Sequence, residues 1–259
     1  LKRLVVCADD FGLSTPVDLG ILRLARGGLV TAVTCLAEGP AFQRDAAALL
    51  ATGASVGLHL DLTEGLGGAP PVALGRLIAR SYLGSLDRPA LRQHIAGQLD
   101  DFERAAGRSP DFVDGHRHVH QLPIISGLLV DELARRYRAR PPPLRVTVPR
   151  RWRGLKAALI AGLGGRSLRR RLARHALPAT GDFCGVYGFE PGAPYRALVQ
   201  GWLASVEDGG LLMCHPGETG DDVISAARVA ELAYLGSEAF EADCAAAGVV
   251  RVGVIGAAA

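Results

Sequence analysis

Lys2-Arg3-Leu4-Val5-Val6-Cys7-Ala8-Asp9-Asp10-Phe11-Gly12 opens the chain with an apolar run that stops on two adjacent carboxylates and a glycine. A run rich in Val and Leu reads as a strand buried on both faces, as in a parallel sheet. Gly12 marks a turn, Ser14 or Thr15 can cap a helix, and Pro16 suits its first turn. That helix continues through Leu22 to Gly27 and Gly28. The stretch is one β-turn-α unit whose strand ends in acid. A helix cap would use one Asp; two at a strand end suit a metal ion or a proton transfer.

The same unit recurs along the chain. Val30–Leu36 reads as a second strand, followed by Gly39-Pro40 and an Ala-rich helix to about Leu50. Ser55–Leu62 reads as a third, with His59 and Asp61 on one face between Leu58, Leu60 and Leu62. Thr63–Pro71, rich in Gly and Pro, reads as a loop over the site. Asp87 opens a helix to about Ala106, with Leu91, Ile95, Leu99 and Phe102 as its buried stripe. Asp111–Asp114 and Leu144–Val148 read as strands on either side of a helix that Pro123 starts. Gly209–Cys214 is a further strand, Ala226–Leu235 and Ser237–Ala247 are helices, and Val249–Ile255 is a last strand. Strand–helix alternation over 259 residues predicts an α/β fold, one parallel barrel in a single domain.

Asp114-Gly115-His116-Arg117-His118-Val119-His120 holds three of the chain's seven histidines at alternate positions behind an acid. If the strand continues, all three share a face; a turn would break that face but still crowd the imidazoles. A single histidine there would read as packing or a solvated loop, whereas three beside Asp114 point to metal or catalysis. Asp9, Asp10, His59, His116 and His215 all fall at or just beyond strand ends, which a parallel barrel gathers on one face. Asp and His donors without cysteine suit Zn²⁺, Mn²⁺ or a related ion, and three protein ligands leave a position open for water. Such a centre is hydrolytic in design.

Apolar residues make up 49% of the chain and charged residues 21%, which is the composition of a globular protein rather than a disordered one. No apolar run approaches the roughly 20 residues that span a bilayer, and the first residues run straight into a polar motif. The expected location is cytoplasmic or peripheral to the inner membrane face; a start at Leu1 rather than Met leaves a trimmed leader open. Five cysteines without C-x-x-C spacing predict buried, reduced thiols, not a disulfide framework or a thiolate site. The net charge of +3 hides a division: residues 133–181 contain 14 Lys and Arg and no acid. Within it, residues 150–175 read as an amphipathic helix pair broken at Gly162, Gly164 and Gly165, which either solvates itself or forms a lid that meets an anionic partner. Arg169, Arg170 and Arg171 are the candidates for that contact. No nucleic-acid motif accompanies the charge, so nucleic acid is not an expected partner.

Four motifs in order, A-D-D-F-G-L-S (Ala8–Ser14), G-L-H-L (Gly57–Leu60), D-G-H-R-H-V-H (Asp114–His120) and C-H-P-G (Cys214–Gly217), resemble those of the YdjC-like carbohydrate deacetylases. That family includes chitooligosaccharide deacetylase and the hopanoid-associated deacetylase. The resemblance implies a distorted, TIM-like (β/α) barrel and metal-dependent removal of an N-acetyl group from an amino sugar, in an oligosaccharide or a glycolipid. Carried over by motif, it assigns Asp10, His59 and His116 to the metal, Asp9 as general base, and His215 as general acid or its orienter. Asp61, Asp114, His118 and His120 are left to substrate contact or to support of the ligands. One divalent ion per chain is implied, Zn²⁺ or Mg²⁺ ahead of Mn²⁺, Co²⁺ and Ni²⁺.

The expected partner is an N-acetylated glycan or glycolipid, with peripheral membrane contact through residues 150–175 and a homodimer as further options. Two other readings compete: a different amidohydrolase or phosphoesterase on the same barrel, and a catalytically silent glycan-binding protein.

Overall fold

In the computed structural model, which describes residues 1–68 and 70–254, the opening run forms β1 (Lys2–Phe11), followed by α1 (Thr15–Arg26). Around β1 lie β2 (Ala32–Cys35), β3 (Ser55–Leu60), β4 (Val113–Gly115), β5 (Phe183–Cys184), β6 (Gly210–Cys214) and β7 (Val249–Arg251). The sheet order is β4-β3-β2-β1-β6-β5, all parallel, with β7 on the first residues of β1. Single-residue parallel bridges, Val113 to Leu144 and Leu144 to Ala179, carry the pairing from β4 to the chain entering β5. The sheet thereby curls into a distorted barrel, as expected.

Alternation along the strands sorts residues between two apolar layers. Leu4, Val6 and Ala8 of β1 face the helices in the main core. Val5 and Cys7 point into the barrel with Ala32, Phe112, Phe183, Leu211 and Met213. The inward row of β3 and β4 consequently includes His59 and Asp114, because Leu58, Leu60 and Val113 belong to the outer layer. All five cysteines are free and buried.

The covering helices are α2 (Phe42–Leu50), α3 (Leu74–Tyr82), α4 (Arg88–Ala106), α5 (Ile125–Arg136), α6 (Leu155–Ile160), α7 (Arg166–Arg174), α8 (Tyr195–Ser205), α9 (Ser225–Leu235) and α10 (Glu238–Ala246). Asp87 caps α4 by accepting from the Ala90 N–H at 3.1 Å. The amphipathic pair within 150–175 is α6 and α7, joined by a single π turn at Ala161–Gly165. Gly164 there has φ 147°, and a Cβ would run into the Gln121 carbonyl, so only glycine lets the arm lie this close. Leu168 and Leu172 seat α7 on the core, and Arg153 anchors the segment with two bonds to Asp182 at 2.6–2.7 Å. The arm is held to the body through α7 and Arg153, while the outer face of α6 stays exposed.

Two expectations are corrected. Leu144–Val148 is extended but pairs only through Leu144, since the prolines at 141–143 and 149 remove donors on both sides. The last strand stops at Arg251, and its expected end, Ile255, lies outside the described residues. α3, α8 and the two-residue β5 add to the expected elements, and β5 is too short to have a periodicity. No helix among the described residues is long and apolar enough to cross a membrane.

Candidate metal centre

Adjacent residues of a strand point to opposite faces, so Asp9 and Asp10 should diverge. A register shift between Ala8 and Phe11 and a left-handed Asp10, φ 72°, turn both carboxylates to one cavity. Gly12 donates its N–H to Asp18 at 2.6 Å and fixes the turn that follows. The strain at Asp10 is how two neighbouring acids reach one site.

Asp10, His59 and His116 offer donor atoms that all lie within 4.8 Å of one another. Asp10 Oδ1 is 2.9 Å from His116 Nδ1 and 3.4 Å from His59 Nε2. The other nitrogen of His59 is 2.6 Å from Asp114 Oδ1, and that oxygen also accepts from the Thr34 hydroxyl at 2.6 Å. Asp114 thus fixes the orientation of His59, as carboxylates behind metal-binding imidazoles do. A second acidic group, Cys7, Asp9 and Asp114, surrounds the Arg145 guanidinium and is already neutralised by it. In the other group Arg228 takes only Oδ2 of Asp10, so Oδ1 and the two imidazoles still face one another, and one carboxylate with two imidazoles fits a divalent ion.

The histidine segment does not continue as a strand. β4 ends at Gly115, and Arg117 (φ 51°) and His118 (φ 60°) are left-handed, so the three imidazoles separate. His116 joins Asp10. His118 lines the cavity with its ring edge-on to Phe183 at 5.8 Å. His120 turns away and bonds the Arg145 carbonyl through Nε2 at 2.9 Å, fully buried. Asp61 also leaves the cavity: its carboxylate accepts from the backbone of Thr63 and Glu64 and ties down the following loop. Of the two roles left open for these residues, substrate contact does not fit the positions of His120 and Asp61, while Asp114 stands behind His59. That loop delivers Glu64, whose Oε1 lies 3.2 Å from His116 Nε2 and 2.7 Å from Arg117.

Three more charged residues complete the site, and none stood out in the sequence. Arg145, with no exposed surface, grips both oxygens of Asp9 at 2.6 and 2.7 Å and lies 2.7 Å from Asp114. Arg228 holds Asp10 Oδ2 at 2.8 Å, leaving Oδ1 to face the imidazoles. Glu231 accepts the His215 backbone N–H at 2.5 Å and the Tyr187 hydroxyl at 2.6 Å. Arg145 sits in an extended apolar segment, where a lone arginine is a usable signal; Arg228 and Glu231 on α9 resemble any exposed i, i+3 pair.

His215 Nε2 stands 4.0 Å from Asp9 Oδ2 on the cavity wall, and Phe189 packs edge-on against its ring at 5.0 Å. The cavity measures about 570 Å³. Its floor is polar, but Leu74, Ile78, Leu122, Leu159, Ile160, Leu163 and Ile224 make the walls aliphatic. A wider open groove between α4 and α5 lies apart from these groups. Arg171 reaches that groove beside Gly127, while Arg169 and Arg170 are exposed, so the three arginines do not act as one cluster.

Burial outweighs the nearby carboxylates at His215 and lowers its pKa to about 4; burial does the same to His120, also to about 4. At His59 and His116 burial is outweighed by Asp114 and Asp10, and the pKa values rise to about 10 and about 9. The unfolded chain binds protons near pH 6.5 that folded His120 and His215 refuse, so their stabilisation is lost as pH falls toward 4. Folded His59 and His116 hold protons that the unfolded chain releases, so theirs is lost as pH rises from about 6.5 through 9 and 10. Burial also raises Asp18 and Glu231 to about 7, which offsets the two neutral histidines on the acid side, so the urea midpoint of the metal-free chain is expected to fall as pH rises from about 6.5 toward 9. A midpoint that climbs steadily to pH 9 would contradict the protonated pairing of His59 and His116.

The family description "YdjC-like protein" matches residues 3–246. The chain belongs to the YdjC-like family. It is 37% identical over 147 residues to a carbohydrate deacetylase of Mus musculus, covering 51% of this chain and 47% of that one. It is 39% identical over 134 residues to a chitooligosaccharide deacetylase of Escherichia fergusonii, covering 48% and 52%. The aligned region spans about half the length of these curated relatives. Among solved structures, a candidate cellobiose-phosphate cleavage protein of Enterococcus faecalis superimposes with a TM-score of 0.70 at 22% identity, over 97% of each chain. That likeness concerns the fold of this YdjC-like chain.

Proposed function

We propose that this YdjC-like chain is a metal-dependent carbohydrate N-deacetylase that releases acetate from an N-acetylated amino sugar. The observation that carries the reading is the convergence of Asp10, His59 and His116 within 4.8 Å on the floor of a cavity that Asp9 and His215 also line. A divalent ion held by those three side chains supplies Lewis acidity, polarising an acetamide carbonyl and acidifying water. Asp9, held from below by Arg145, accepts a proton from the attacking water as its oxygen bonds the acetyl carbon. His215 is neutral at rest, and negative charge developing on the acetamide oxygen raises its proton affinity. The proton that Asp9 takes from water reaches His215 Nε2, 4.0 Å from Asp9 Oδ2, and passes on to the sugar nitrogen as the C–N bond breaks, leaving a free amine and acetic acid that ionises to acetate. The aliphatic walls support a substrate whose sugar carries an apolar portion, which favours a glycolipid over a short free oligosaccharide.

The test is product analysis on N-acetylated glycans and glycolipids, with a phosphomonoester series beside them. Acetate release that stops with a chelator and returns with a divalent ion is expected. Phosphate release without acetate would move the chain to the phosphoesterase reading.

A further inference from the structure

The fold divides the cations of residues 133–181 into two groups. Arg136, Arg145 and Arg153 are paired with Asp100 and Glu103, with Asp9 and Asp114, and with Asp182. Arg151, Arg166, Arg169 and Arg170 are exposed and form no ion pair among the described residues. Beside them stand large apolar side chains that the core leaves out. Trp152 is 71% exposed, Leu155 80%, Leu159 62% and Val223 99%.

Their placement is not scattered. Leu155 and Leu159 are one turn apart on α6 and share a face. Leu159 and Val223 both line the catalytic cavity while remaining largely exposed, so they stand at its rim. Trp152 shares a surface depression with Arg151 and Arg166. Single exposed apolar residues are ordinary on any protein, but a group at the mouth of an aliphatic cavity, edged by unpaired cations, is an interaction surface. α7 is committed to the core through Leu168 and Leu172, which leaves α6 and the turn before it to make the contact.

We propose that α6 and the preceding turn dock the chain on an anionic lipid bilayer, with the cavity mouth facing the membrane. Charge selects the occupant: Arg151 and Arg166 match anionic headgroups, Trp152 suits the interfacial layer, and Leu155 and Leu159 can enter the acyl boundary. Neither attraction alone gives more than weak, reversible binding, and the patch supplies both. The inference stands on the surface alone and is independent of what the cavity hydrolyses.

Co-sedimentation with vesicles tests it, using phosphatidylcholine alone and phosphatidylcholine with phosphatidylglycerol in equal parts. The chain is expected to bind the mixed vesicles, to release them as salt rises, and to ignore the neutral ones. Trp152→Ser with Leu155→Glu, both outside the cavity lining, is expected to weaken binding by about tenfold or more with an unchanged circular dichroism spectrum and melting temperature. Absence of binding to the mixed vesicles, or equal binding by the double variant, would overturn the proposal. So would a dimer, seen by light scattering, that the double substitution splits, since the patch would then be covered by a second copy of the chain.

Discussion

If Asp9 is the general base of the proposed deacetylation, Asp9→Asn is expected to lower turnover of an N-acetylated sugar by about 10²–10⁴-fold, the range that general-base catalysis contributes. Asparagine has the size of aspartate and still accepts one bond from Arg145, so packing inside the barrel is preserved. It cannot take a proton from water, and that is the property removed. Asp10, His59 and His116 are untouched, so ion uptake is expected to persist in the variant. Paired measurements of acetate release and metal content separate the two contributions. Turnover equal to that of the unmodified chain would exclude Asp9 as the base, and loss of the ion would make its role structural.

Arg145→Met is expected to cost about 3–5 kcal/mol of stability, because it leaves Asp9 and Asp114 buried without their shared cation. Both carboxylates are at most 1% exposed, so solvent replaces little of the charge the guanidinium supplies. Arg145 and His59 hold Asp114 well below the usual carboxylate range against the effect of burial, which locates its charge in the folded chain. For a chain of this size each kcal/mol lowers the melting temperature by about 2–4 °C. Arg3→Met is the control, since its bridge to Asp208 is exposed and no resolvable shift is expected. Equal urea midpoints for the two variants would refute the assignment of Arg145 as the central buried cation.

The fold was readable from the chain wherever strands were apolar and ended on turn residues. β1, β2, β3 and β6 follow that rule, and the polar ends of β1, β3 and β6 mark the cavity. The barrel's weak side, from Leu144 to β5, was not readable, because single bridges leave no periodic trace. At the site, A-D-D-F-G, G-L-H-L and D-G-H presented Asp10, His59 and His116 at strand ends, and the structure brings those three side chains together. What alternation could not supply was the departure from it. The left-handed Asp10 and the Arg117–His118 turn decide which neighbours share a face, and both depend on tertiary contacts. Arg145, Arg228 and Glu231 escaped for a related reason: a buried charge is recognised by its partners, and Asp9, Asp10 and the His215 N–H lie 136, 218 and 16 residues from them in the chain. The basic segment showed the reverse, since composition suggested one anionic-partner surface where the fold spends several of its arginines internally.

Anomalous diffraction from crystals grown with Zn²⁺, recorded at the zinc edge, addresses the centre directly. One peak coordinated by Asp10, His59 and His116, with Asp9 remaining on Arg145, is the expected result. A peak among Cys7, Asp9 and Asp114, or none within the cavity, would contradict it.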